Sequence, residues 1–105
     1  MNEENVNNAF EIISFAGNAR ASAVMAIENA REGNFDESDR LIKEAQQDET
    51  KAHQLLFELL RKEASGETYD VDLMIVHAQD HLTMASLSLE NAKEFNHIYK
   101  LLLNK

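Results

Sequence analysis

Apolar residues recur at spacings of three and four along most of the chain, the period of an α-helix with a buried face. Two glycine-bearing breaks interrupt that period, at Gly33 and at Ser65-Gly66-Glu67-Thr68-Tyr69. The pattern predicts three long helices, at about residues 5–32, 34–64 and 70–103. Gly33 supplies a left-handed residue just past the first helix. Asn34 is the expected cap of the second, with Glu37 three residues on completing a capping-box pattern, and Asp70 or a neighbour caps the third. Short breaks make successive helices antiparallel neighbours, so the expected fold is all-α: an antiparallel, up-down-up three-helix hairpin, one domain over residues 1–105.

The faces of the helices then say what each packs against. In the first helix Ile12, Ala16, Ala19, Ala23, Ala26 and Ala30 form an almost pure alanine stripe that lets another helix approach closely, with Val6, Phe10, Ile13, Val24 and Ile27 beside it. The second offers Leu41, Ala45, Ala52, Leu55, Leu56, Leu59 and Leu60, and its polar interruption from Gln46 to Lys51 is expected to face water. The third carries two seams. Ile75, Ala78, Leu82, Ala85, Leu89, Ala92, Tyr99 and Leu103, interrupted by Asn96, suffice for packing within the chain. His77, Asp80, Met84, Leu87, Asn91, Glu94, Ile98 and Leu101 form the other, apolar enough to want burial yet broken by polar positions of the kind that set register in coiled coils. This second seam predicts a homo-oligomer with the third helix at its core; the competing reading makes that helix simply the central one of the monomer.

Composition narrows the function. The 105 residues include 19 Asp+Glu against 10 Lys+Arg, a formal charge of −9, with no Cys, Pro or Trp. The negative charge and scattered cations exclude nucleic acid and anionic membrane surfaces as expected partners and favour a basic protein surface. Without Cys there is no disulfide framework, cysteine zinc site or thiol nucleophile, and a small chain without such staples points to the cytoplasm. The polar Met1-Asn2-Glu3-Glu4-Asn5 start lacks signal-peptide character, and no apolar run approaches the ~20 residues of a membrane span.

The densest chemistry is His77-Ala78-Gln79-Asp80-His81. At ~100° per residue, His77, Asp80 and His81 project within about 100° of one helix face while Gln79 points away. Three readings stand on those residues alone: a phosphoryl-accepting imidazole, a transition-metal site of two imidazoles and a carboxylate, or satisfied polar groups on a partly buried face. A ferritin-like di-iron centre is discounted because only one Glu-x-x-His pair, Glu94 and His97, is present, and a zinc-protease motif because Ala78 follows His77. His53 reads as a structural histidine with Glu49 as its expected partner.

Taken together, Phe10-Glu11-Ile12-Ile13-Ser14-Phe15-Ala16-Gly17-Asn18-Ala19-Arg20, Gly33-Asn34-Phe35, Ala52-His53, Glu63-Ala64-Ser65-Gly66 and His77-Ala78-Gln79-Asp80-His81-Leu82 resemble, in order and over nearly the whole chain, the lactose/cellobiose-type enzyme IIA of the bacterial sugar phosphotransferase system. The resemblance implies a homotrimer of three-helix subunits. It makes His77 the phosphorylated histidine, and Asp80 the carboxylate that gathers from three subunits around a buried divalent ion, for which an all-oxygen shell suits Mg²⁺. It puts His81 beside the site as a phosphate or structural contact. The implied partners are HPr, which delivers the phosphoryl group, and enzyme IIB, whose cysteine receives it on the way to the membrane subunit IIC and a disaccharide of the lactose, cellobiose or chitobiose class.

The sequence also departs from the family pattern. Leu56-Phe57 stands where a Gln-Thr pair is usual, Thr83 where Met is common, and the C-terminal end is short. The alternatives to a phosphocarrier are a helical scaffold whose polar seam residues only set oligomer state, and a two-component histidine phosphotransfer domain. The latter wants His-x-x-Lys-Gly, and Asp80-His81 occupies the last two positions instead.

Overall fold

The computed structural model describes residues 3–66 and 73–103. It contains three α-helices: α1 (Glu3–Arg31), α2 (Phe35–Ala64) and α3 (Leu73–Leu103). Helices of this length reach about 45 Å at ~1.5 Å per residue, and laid side by side they give a rod measuring 57 × 20 × 17 Å. The expected limits hold to within one residue at the α1–α2 junction, except that α1 begins two residues earlier, at Glu3. The Asp70 cap and most of the second break lie outside the described residues.

The α1–α2 junction shows how a three-residue turn reverses the chain. Gly33 adopts a φ of 81°, open to glycine at little cost. Asn34 N–H donates to Asn29 O at 2.8 Å and Gly33 N–H to Ala30 O at 3.0 Å, the paired bonds of a Schellman end. Asn34 then serves α2 as well, its carbonyl accepting Ser38 N–H at 3.0 Å. The expected capping box is replaced by another pairing: the Glu37 carboxylate is taken by the Arg40 guanidinium, which also reaches Glu44 at 2.7 Å, because a charged partner one turn away outcompetes a backbone amide.

Chain direction is fixed at both ends of the rod. Lys62 near the end of α2 pairs with Glu4 at the start of α1 at 3.1 Å, and Asn96 and Lys100 of α3 reach Ser38 and Asp39 at the start of α2. The three helices therefore run up, down and up. The reading of α3 as the central helix of the monomer is corrected: α1 lies between the other two, and α2 and α3 touch each other far less than either touches α1. The alanine stripe is the reason. Ala9, Ala16, Ala19, Ala23, Ala26 and Ala30 are all fully buried, and Ala45, Ala52, Ala78, Ala85 and Ala92 face them, so backbones approach closely along α1. Leu41, Leu59, Leu82 and Leu89 fill the larger spaces, while Leu60, assigned to the core by spacing, is exposed.

A polar knot closes the end away from residue 77. Ser38 is fully buried; its hydroxyl donates to Ala26 O at 2.7 Å and accepts from Asn96 Nδ2 at 2.8 Å. Asn96 also donates to Asp39 Oδ1 at 3.1 Å, and Lys100 pairs with the same carboxylate at 2.9 Å. The Asn96 interruption of the inner seam is thus the point where all three helices are tied together.

Candidate functional site

The inner seam of α3 is spent on the monomer, with Ala78, Leu82, Ala85, Leu89, Ala92 and Asn96 buried. That leaves the outer seam uncovered. Met84, Leu87, Ile98 and Leu101 are all exposed, Leu87 to 57 % and Leu101 to 65 %. The uncovered face is wider than its sequence assignment: Leu73, Val76, Phe95 and Leu102 are exposed with it. At ~100° per residue these four fall in the same arc as Asp80 and Met84, a signal the three-four rhythm hides.

His77, Asp80 and His81 project from the first half of α3 beside this face. His77 and Asp80 are exposed and His81 is half-buried. The structure brings the two histidines together: Nε2 of His77 and Nε2 of His81 lie 3.1 Å apart, one donating and the other accepting. Their rings meet nearly perpendicular, at 86° with centroids 4.5 Å apart, a contact that one helical turn produces without backbone adjustment. His77 and Asp80 line one open cleft of about 490 Å³ whose apolar walls are Leu73, Met74 and Val76. His81 is not among the residues lining it. An exposed imidazole at the rim of an apolar recess is reachable by another protein's reactive group, and in the tautomer that donates Nε2–H to His81 its Nδ1 lone pair is left for nucleophilic attack.

Among the described residues no three His, Asp or Glu side chains gather as potential ligands, and Asp80 is the single carboxylate on this part of the outer seam. His97, on the last turns of α3, is exposed and far along the helix from His77.

His53 lies elsewhere and is corrected in its partner. It faces α3, where its Nε2 is 3.4 Å from the Ser86 hydroxyl, instead of pairing with Glu49 on its own helix. Together with Leu56, Gln79, Thr83, Leu87 and Glu90 it lines a groove of about 500 Å³ where α2 and α3 diverge. Phe57, one of the two departures at this point of α2, is 63 % exposed. Gln79 opens into this groove, on the side of α3 away from His77, as its spacing predicts.

The family described as the lactose/cellobiose-specific IIA subunit of the PTS system matches residues 7–100. The chain is similar to the lichenan-specific phosphotransferase enzyme IIA component of Bacillus subtilis, with 39 % identity over 100 residues, covering 95 % of this chain and 91 % of that protein. It is 36 % identical over 91 residues to the lactose-specific EIIA component of Lacticaseibacillus casei, covering 87 % and 81 % of the two chains. Its backbone is similar to the crystal structure of the PTS cellobiose-specific enzyme IIA from Bacillus anthracis, with a TM-score of 0.93 at 35 % identity, covering 100 % of this chain and 95 % of that one.

Proposed function

The chain belongs to the lactose/cellobiose-specific IIA family and is a component of the sugar phosphotransferase system, and from that premise we propose that His77 is its phosphoryl acceptor. The observation that carries the proposal is the exposed His77 imidazole at the mouth of an apolar cleft, its Nε2 3.1 Å from a second imidazole. In the first transfer the P–N bond of phospho-HPr breaks as a P–N bond to His77 forms. In the second that bond breaks as a P–S bond forms to the cysteine of enzyme IIB. A neutral imidazole needs no general base, so alignment and neutralisation of charge supply the catalysis. His81 is the positioning residue: its hydrogen bond fixes the tautomer and ring orientation of His77. The acidic chain favours a basic HPr surface.

The outer face of α3 supports a homotrimer in which three such faces meet. A face with Leu73, Val76, Met84, Leu87, Ile98 and Leu101 exposed together is larger than a solitary chain would leave in water. Asp80 lies on that face, and three carboxylates converging on an axis need a cation. Their oxygen donors, completed by water, fit Mg²⁺, which would neutralise the axis and hold the subunits in register. The described residues of one chain do not by themselves fit the ion, since among them Asp80 is the only carboxylate there. The carrier reading places the chain in the cytoplasm beside HPr, and among the described residues no helix is long and apolar enough to cross a membrane. The sugar, a disaccharide of the lactose, cellobiose or chitobiose class, is chosen by the membrane subunit IIC and does not bind here.

Intact mass after incubation with phosphoenolpyruvate, enzyme I and HPr tests the proposal. One acid-labile phosphoryl group per chain, absent from His77→Ala with helicity retained, is expected. A folded chain that gains no mass with HPr of the same source overturns the carrier role in favour of a helical scaffold.

A further inference from the structure

The His77–His81 contact has a geometry that serves a second ligand. A transition-metal ion bound by two imidazole nitrogens at about 2.0–2.1 Å holds those nitrogens about 2.9–3.4 Å apart, from a right angle at the metal to a tetrahedral one. The observed Nε2 to Nε2 separation of 3.1 Å lies inside that span. Because both residues sit one turn apart on a continuous helix, the separation is built in before any ligand arrives. The near-perpendicular rings meet by their edges and do not cover one another, and His77 is exposed, so a modest ring rotation turns two facing nitrogens into two converging ones. The net charge of −9 draws cations toward the surface.

From this we infer that His77 and His81 form a bidentate chelate for a borderline transition-metal dication such as Zn²⁺, separate from any hard-cation site at Asp80. No third protein ligand converges on the pair among the described residues, so water completes the shell and the site is open and exchangeable. Proton balance is simple. The Nε2 proton that bridges the free pair moves through solvent to Nδ1 of the same ring, and no proton is released. A metal on Nε2 of His77 therefore leaves the proton on Nδ1, and the ring has no free lone pair with which to attack phosphorus. Metal occupancy and phosphoryl acceptance exclude each other, a consequence that rests on the carrier function proposed above.

Two measurements on the full chain test this. Calorimetric titration with Zn²⁺, in buffer containing Mg²⁺, is expected to show one ion per chain. His77→Ala and His81→Ala should each weaken binding by at least roughly tenfold, since loss of even an outer-sphere partner of a ligand costs about that much, while His97→Ala should not. Circular dichroism verifies that each variant keeps its helices. Unchanged affinity in either His77→Ala or His81→Ala overturns the chelate. Single-turnover transfer from purified phospho-HPr, with enzyme I removed, reads the exclusion: saturating Zn²⁺ should slow wild-type uptake by at least roughly tenfold, reversibly on adding EDTA. A chain that binds Zn²⁺ through both histidines and still accepts phosphate at its metal-free rate overturns the exclusion. A chain that accepts none even without Zn²⁺ overturns the carrier reading, and the titration alone then decides the chelate.

Discussion

Replacing Ser38 with alanine tests the polar knot, because the substitution removes one oxygen and leaves everything else in place. Ser38 is fully buried, and its hydroxyl makes two bonds, to Ala26 O at 2.7 Å and from Asn96 Nδ2 at 2.8 Å. Two intramolecular hydrogen bonds are worth about 2 kcal/mol net, and alanine returns about 0.5 kcal/mol through its better helix propensity, so the expected loss is about 1.5 kcal/mol. The N–H of the buried Asn96 amide that Ser38 leaves without an acceptor adds about 1 kcal/mol or more to that figure. Asn96 keeps Asp39 Oδ1 at 3.1 Å, and the Ala26 carbonyl remains within the α1 ladder. Urea unfolding at one fixed chain concentration measures the loss, since assembly would link unfolding to concentration. Ser14→Ala is the control: Ser14 is exposed on α1, so only propensity acts and the change should stabilise by a few tenths of a kcal/mol. A double-mutant cycle with Asn96→Ala should return a coupling of about 1 kcal/mol. If Ser38→Ala proves as stable as Ser14→Ala, the knot contributes nothing and the account of the closed end is wrong.

Three other outcomes follow from the structure. Gly33→Ala should cost about 1–2 kcal/mol in urea unfolding; the added Cβ meets only Leu103 Cδ1 at 3.9 Å, so the whole cost is the positive φ of 81°. The Lys100 ammonium, with help from Asn96, holds the Asp39 carboxyl below its ordinary range, so its contribution is present above about pH 4 and is lost as pH falls through the folded value. Asp39→Asn should accordingly cost less than about 1 kcal/mol at pH 7, the pair being half-exposed, and nothing once the wild-type carboxyl is protonated; a penalty that does not shrink as the pH falls would count against the ion pair. Leu87→Asp, at a position 57 % exposed in the single chain, should leave helicity unchanged and, under the proposed trimer, shift sedimentation to the monomer; an assembly that this substitution leaves unshifted would mean the outer face of α3 is not the contact.

Much of this protein is readable along the chain because its determinants are local. Three helices follow from the three-four period, and their junction follows from Gly33 and Asn34, whose backbone bonds involve residues no more than five apart. The alanine stripe of α1 and the double seam of α3 are likewise properties of one helix each. His77, Asp80 and His81 share a face because 3.6 residues make a turn, and the His77–His81 contact needs only that.

What only the tertiary structure decided are the choices between partners that periodicity leaves equivalent. Two seams on α3 make it look central, yet α1 takes that place, because alanines facing alanines bring backbones closer than the leucines of α2 and α3 would allow. Ser38 carries no sign of burial in a polar first turn, and Asn96 looks like a flaw in its seam. They find each other across 58 positions because two buried polar groups cost least when they satisfy one another. His53 turns to Ser86 instead of Glu49 for a related reason: a helix fixes which side chains stand one turn apart, but only the packing of α2 beside α3 determines what its flank will meet.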